Sequence, residues 1–163
     1  MQACSAHATG DTMLSLLPLL AALALPPLNA EEQQTLKNGA ARADAFADCA
    51  GVWDYFSLLA REDGKPASAE HLKNLGNGAQ TAALWLHANI NTVNGGPRAP
   101  YGAWLPMVKP RREATTLRLL SAAELGDQQT APAMVKECQA MLDSQEYAID
   151  KIRKDSVEQQ IGK

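Results

Sequence analysis

Apolar residues recur along this chain at intervals of three and four, and no segment alternates between apolar and polar positions as a half-buried strand does. This periodicity predicts an all-α protein. The periodic segments cover residues 32–63, 66–93, 110–126 and 130 onward, and each is expected to form one helix. The sequence therefore predicts a single antiparallel, up-down four-helix bundle.

The first two helices are expected to form a tight antiparallel pair. Gly64 suits the position that follows a helix C-terminus, and Pro66 suits the first turn of the next helix. On the second helix the small residues Gly76, Ala79 and Ala83 would let a neighbouring helix approach closely. The apolar row of the first helix contains Ala45, Phe46, Cys49, Val52, Trp53, Phe56, Leu59 and Ala60.

The second half of the chain carries weaker signals for where its helices begin. Pro110 suits the first turn of the third helix, and Thr130 suits the N-cap of the fourth. Between the second and third helices, residues 94–100 break the helical pattern with two glycines and two prolines. Residues 97–113 are therefore predicted to contain a long, aromatic, Pro-rich connector, which exceeds the 2 to 8 residues usual in bundles.

An apolar segment, "MLSLLPLLAALALPPLNA", spans residues 13–30 and ends on a small residue where a signal peptidase would cut. No Lys or Arg precedes it, and Met13 is a possible true start. A buried helix or a membrane anchor is the alternative, but the apolar run is shorter than the roughly 20 residues that span a bilayer, and it contains Pro18. Residues 1–30 are predicted to be a signal peptide, residues 31–163 the bundle domain, and the protein periplasmic or secreted.

Cleavage after residue 30 would leave 133 residues, enough for one domain with an ordinary core. They carry 15 basic and 17 acidic residues, a net charge of −2. This near-neutral balance gives no general reason to expect nucleic-acid binding or attraction to a membrane surface.

Two of the three cysteines, Cys49 and Cys138, would remain after cleavage, and both fall on apolar helical rows. In an up-down bundle the first and fourth helices are neighbours, so the two thiols can face each other and form a disulfide in an oxidising compartment. Two buried free thiols, a catalytic cysteine and a metal ligand are the alternatives. No Cys-x-x-Cys motif occurs, and neither row offers the exposed, basic surroundings of a reactive thiol.

Metal and enzymatic chemistry find little support in the residues, and no cofactor is expected. His71 and His87 are 16 positions apart, about 160° around the axis of one helix, so they would not share a metal there. Met134 and Met141 flank Cys138 on an apolar stripe, which is typical of core filling. No Gly-x-Ser-x-Gly elbow occurs. An enzyme stays possible, but no residue indicates a catalytic role.

The connector has two interpretations: a hydrophobic lid over the end of the bundle, or a recognition site. In the second, aromatic residues would wall a shallow cleft with cations at its mouth, suited to a small anionic or amphipathic ligand or to an acidic peptide. Trp85 of the second helix would face the connector near the helix end. The residues of this candidate site are Trp85, Arg98, Tyr101, Trp104, Lys109, Arg111 and Arg112.

Two classes of function are consistent with these features. The first is an exported, non-enzymatic binding or interaction module that uses the connector. The second is a structural or accessory protein that docks a partner through a bundle face, in particular the small-residue face of the second helix. An enzyme of unidentified type is the third.

Overall fold

The computed structural model describes the backbone of residues 30–161 and the side chains of residues 38–156. The described residues form five α-helices, one short 3₁₀ helix and no strand. The predicted signal peptide and the possible start at Met13 lie outside the described residues, Ala30 excepted. The elements are α1 (Ala30–Glu62), α2 (Pro66–Val93), the 3₁₀ helix (Tyr101–Trp104), α3 (Leu105–Glu124), α4 (Thr130–Ala140) and α5 (Leu142–Ile161).

The helix α1 lies at the centre of the fold, in contact with α2, α3 and α4. Ten of the fifteen residues 43–57 are buried, far more than one apolar row would supply. Burial extends to Ala47, Ala50 and Tyr55, outside the predicted row. A helix that is surrounded by neighbours loses the amphipathic stripe that a surface helix shows.

The turn between α1 and α2 has the structure that Gly64 and Pro66 predict. Gly64 has φ +70°, and it donates its backbone N–H to Arg61 O while Lys65 donates to Ala60 O. These two bonds satisfy carbonyl groups at the end of α1, and glycine accepts the left-handed conformation without steric strain. Pro66 begins α2, as predicted.

The small-residue face of α2 is used inside the molecule. Ala79 and Ala83 are fully buried, and a Cβ added at Gly76 would lie 3.1 Å from the carbonyl oxygen of Ala50 on α1. The face that was predicted to dock a partner is therefore covered by α1.

Helix α3 begins five residues earlier than predicted. Its first-turn proline is Pro106, whereas Pro110 lies inside the helix. A proline so near the start removes only a hydrogen bond to the first turn, so the helix tolerates it. The irregular part of the connector shrinks to residues 94–100, and the next residues form the 3₁₀ helix.

The prediction of four helices is wrong in its count, because the last predicted helix is two. Helix α4 ends at Ala140, and α5 begins at Leu142. The chain changes neighbours at this break: α4 contacts α1, whereas α5 packs on α2. The N-cap of α4 is Gln129, one residue before the predicted Thr130. The Asp127 carboxylate accepts the backbone N–H groups of both residues.

The predicted disulfide is confirmed. Cys49 of α1 and Cys138 of α4 are bonded, with their Cα atoms 5.4 Å apart. Both residues are buried. The bond joins the central helix to a helix 89 residues further along the chain.

Candidate functional site

The two arginines of the predicted site point toward α1 and bind its carboxylates. Arg111 donates to Asp48 at 2.7 Å and lies 3.1 Å from Asp44. The hydroxyl of Thr115 donates to the second oxygen of Asp48 at 2.7 Å. The hydrogen bond to Asp48, with the nearby negative charges, raises the pKa of Arg111 above its ordinary value, against some desolvation by burial.

Arg112 forms the most enclosed ion pair among the described residues. Its Nε and Nη2 atoms donate to the two oxygens of Asp54 at 2.5 and 2.6 Å. Its Nη1 atom donates to Gln80 Oε1 of α2 at 2.8 Å. Only 12% of its side chain is exposed. Arg112 therefore joins α1, α2 and α3, and its donors already have partners inside the fold.

Trp104, at the end of the 3₁₀ helix, stacks on His87 of α2. The two ring centroids are 6.2 Å apart and the planes differ by 16°. Burial lowers the pKa of His87, and Asp44 partly opposes this shift. The buried indole N–H of Trp104 has no hydrogen-bond partner among the described residues. The stack attaches the 3₁₀ helix of the connector to α2.

The other connector residues stay near the surface. Arg98 is exposed and Tyr101 is half-buried. Lys109 is exposed and lies 3.7 Å from Glu113 on the next turn of α3. These two residues border a shallow depression of about 410 Å³ beside Gly102.

Trp85 lies elsewhere, in a groove between α1, α2 and α5 that we call the α5 groove. Trp85 and His87 are two positions apart on α2, about 200° around its axis, so they face different neighbours. The groove has a volume of about 400 Å³. Its lining residues are Arg42, Phe46, Trp85, Leu86, Asp143, Ser144, Tyr147 and Ala148.

Rings from three helices meet at the α5 groove. Phe46 of α1 is buried, Trp85 of α2 is half-buried, and Tyr147 of α5 is 59% exposed. The ammonium group of Lys151 lies 5.6 Å from the centroid of the Tyr147 ring. The groove therefore offers an aromatic surface that is open to solvent.

Two contacts position α5 beside this groove. The Arg42 guanidinium donates to the hydroxyl of Ser144 at 2.5 Å. Gln145, which is buried, donates from Nε2 to the carbonyl oxygen of Leu75 on α2 at 3.3 Å. A Cβ at Gly78 would lie within 2.3 Å of the same amide nitrogen, so the glycine makes room for Gln145.

The sequence-predicted site is thus divided between two places. Trp104 lies on the 3₁₀ helix against His87, and Trp85 lines the α5 groove. Sequence reasoning missed Arg42 and Tyr147. The sequence did not indicate Tyr147 because the break at Met141, which turns α5 onto α2, has no local marker.

Comparison with models of protein families, with curated proteins and with solved structures finds no match. Within residues 30–161, no helix has the combined length and apolarity needed to cross a bilayer. The described residues contain no group of three or more His, Cys, Asp or Glu side chains arranged to hold a metal ion.

Proposed function

We propose that the protein is an exported, non-enzymatic binding module whose ligand site is the α5 groove. The observation that carries this proposal is the convergence of Phe46, Trp85 and Tyr147, from three helices, on one open groove beside the cation of Arg42. Concave sites that combine aromatic walls with a few polar groups are the usual form of small-molecule sites.

The lining favours a small amphipathic ligand with a flat apolar part and one anionic group. Trp85 and Tyr147 contribute aromatic surface to the groove, which suits a flat apolar group. The Arg42 side chain makes one hydrogen bond among the described residues, to Ser144, and so keeps donors for a carboxylate, sulfonate or phosphate. Asp143 lies at the same groove and would disfavour ligands of high negative charge.

Export is supported by the disulfide together with the apolar N-terminal segment. Disulfides persist in oxidising compartments such as the periplasm and are rare in the cytosol. N-terminal sequencing of protein expressed with residues 1–30 should begin near Glu31. A periplasmic product that retained Met1 or Met13 would contradict the proposed signal peptide.

The connector is the second candidate site, favoured by the two exposed cations Arg98 and Lys109. Arg111 and Arg112 lend it less support, because both already bind carboxylates of α1. Docking through the small-residue face of α2 is not favoured, since α1 covers that face.

Fluorescent probes can separate the two sites. Anilinonaphthalene sulfonate carries flat rings and one anionic group, and phenylnaphthylamine is its uncharged counterpart. We expect the sulfonate to bind the oxidised protein, Tyr147→Ala to weaken it at least about tenfold, and Arg42→Gln to weaken the sulfonate more than the amine. The matched control is the double variant Arg98→Gln/Lys109→Gln, which should bind as wild type.

If Arg98→Gln/Lys109→Gln weakens binding of the sulfonate, while Tyr147→Ala and Arg42→Gln bind it as wild type, the ligand site is the connector. Equal binding by all variants, with each folded by circular dichroism, would refute the α5 groove as a ligand site. Native mass spectrometry of protein purified from periplasm would then show whether a natural ligand remains bound, and its mass would restrict the chemical class.

A further inference from the structure

A second groove lies beside the Arg112–Asp54 ion pair, between α1 and α3 with α2 at its edge. Its volume is about 500 Å³. Leu58 of α1 and Leu117 of α3 line it and are 38% and 63% exposed. We call it the leucine groove. Two exposed leucines from different helices on one concave surface are more informative than scattered apolar residues.

The groove begins where a close backbone contact between α1 and α3 ends. The two helices run in the same direction, because their contacts progress from Asp44–Arg111 to Gly51–Thr116. A Cβ at Gly51 would lie 2.3 Å from the carbonyl oxygen of Arg112, so the backbones almost touch there. Leu58 follows this contact along α1, and Leu117 follows it along α3.

The uncharged polar groups of the leucine groove are already satisfied within the fold. Ser57 donates to the carbonyl oxygen of Ala69, and Thr116 donates to the carbonyl oxygen of Gly51. The groove therefore presents mainly apolar walls and charged rims to an incoming molecule.

The charges on the rims differ in whether they are paired. Asp54 is bound by Arg112, and Glu113 lies 3.7 Å from Lys109. In contrast, Arg61 and Lys73 have no ion-pair partner among the residues that the structure describes. The groove thus combines two unpaired cations with two exposed leucines.

We infer that the leucine groove binds an amphipathic helical segment of a partner protein that carries acidic side chains beside its apolar face. An apolar groove between two helices accepts the apolar face of a third helix, which is a recurring mode of peptide recognition. Arg61 and Lys73 would pair with the acidic residues at the rim, which sets the partner's charge and orientation. This surface is separate from the α5 groove.

A phage-displayed library of helix-forming peptides, with apolar residues fixed along one face and the other face varied, tests this inference. Selection against the oxidised full-length protein should enrich Glu and Asp next to the apolar face. Fluorescence anisotropy then measures the best peptide: we expect Leu117→Ser and the double variant Arg61→Gln/Lys73→Gln each to weaken it at least about tenfold, with added salt weakening it further.

Two controls match these variants outside the groove. Leu125→Ser replaces a leucine that is 87% exposed, and Arg153→Gln/Lys154→Gln removes two exposed charges from α5. Both should bind the peptide as wild type. A selection that yields no binder, peptides without acidic enrichment, or binding that Leu117→Ser leaves unchanged would overturn the inference. The effect of Tyr147→Ala on binding of the sulfonate probe tests only the α5 groove. The ligand site at the α5 groove and the peptide site at the leucine groove can therefore fail independently.

Discussion

At the scale of single residues, Arg112 shows how a charged side chain that the sequence suggests is exposed can be largely buried in an ion pair. In the sequence it follows Arg111 in a basic stretch, which favours a solvated or ligand-binding surface. In the structure its guanidinium binds both oxygens of Asp54 and the side chain of Gln80. Residue type alone does not distinguish these roles, because Asp54, whose carboxylate binds Arg112, lies 58 positions away in the sequence.

Arg112→Ala is expected to lower the free energy of unfolding by about 3 kcal/mol, because it leaves Asp54 charged, partly buried and without its partner. Arg112→Lys should lose less, since the charge remains but the bidentate geometry does not. Urea denaturation measures both. The control is Arg153→Ala, which breaks an exposed pair with Asp150 and should change stability by less than about 1 kcal/mol. Equal effects of Arg112→Ala and Arg153→Ala would contradict the structural role.

Gly51→Ala should destabilise the protein by about 2 kcal/mol or more, although alanine favours helices over glycine. The added Cβ would lie 2.3 Å from the backbone carbonyl oxygen of Arg112 on α3. A backbone atom, unlike the end of a flexible side chain, cannot move aside easily. The matched control is Gly102→Ala, where nothing lies within 4 Å of the added carbon. Thermal unfolding of the two variants gives the comparison, and a stabilised Gly51→Ala protein would show that α1 and α3 are not in close contact.

At the scale of helices, the elements that the sequence predicts well are those with signals at their own ends. The turn between α1 and α2 is an example, since Gly64 and Pro66 act through their own backbone conformations. Proline misled the prediction at α3, because Pro106 and Pro110 both suit a first turn and only tertiary contacts select between them. The break at Met141 contains neither glycine nor proline. It arises because α4 and α5 contact different helices, which no local pattern reports.

The candidate site follows the same rule. Trp85, Tyr101 and Trp104 were recognised as aromatic residues near one end of the second helix, and the structure places Trp104 on α2 as a stack with His87. The orientation of Trp85 toward α5 depends on where α5 lies, and so on the break at Met141. Whether a ligand binds at the α5 groove or at the connector stays a prediction.

The stack of Trp104 on His87 should make the attachment of the 3₁₀ helix depend on pH. Burial lowers the pKa of His87 in the folded protein below its ordinary value of 6.5. The contribution of buried, neutral His87 to stability is therefore complete well above pH 6.5, where His87 is neutral in both the folded and the unfolded chain. It decreases as the pH falls through 6.5 toward the lower pKa of the folded protein. Asp44, which also binds Arg111, opposes this loss in part.

Hydrogen exchange of residues 101–104, compared at pH values on either side of 6.5, measures this effect. We expect the protection of these amides, corrected for intrinsic exchange, to fall on the acidic side. The variant His87→Gln should remove the pH dependence, whereas His71→Gln, which changes an exposed histidine on the same helix, should keep it. Protection that falls equally in all three proteins would assign the effect to other groups.

At the scale of the whole molecule, α1 organises the fold and the disulfide closes it. Helices α2 and α3 pack on α1 through small residues and paired charges, whereas α4 is fastened to α1 by the Cys49–Cys138 bond. Helix α5 packs on α2, and its position in space depends on α4, which directly precedes it. The α5 groove should therefore be more sensitive to the state of the disulfide than the leucine groove is.

The double variant Cys49→Ala/Cys138→Ala tests this dependence. Opening a closed segment of 89 residues should lower the free energy of unfolding by about 4 to 5 kcal/mol in the chain-entropy model, as measured by urea denaturation. In the same variant, amides of α4 and α5 should lose more hydrogen-exchange protection than those of the α1–α2 pair, because α1 and α2 pack directly on each other and the disulfide does not join them. Reduction of the wild-type protein by dithiothreitol should reproduce both results. Uniform loss of protection across all helices would show that the molecule unfolds as one unit, and that α4 and α5 are not held separately by the disulfide.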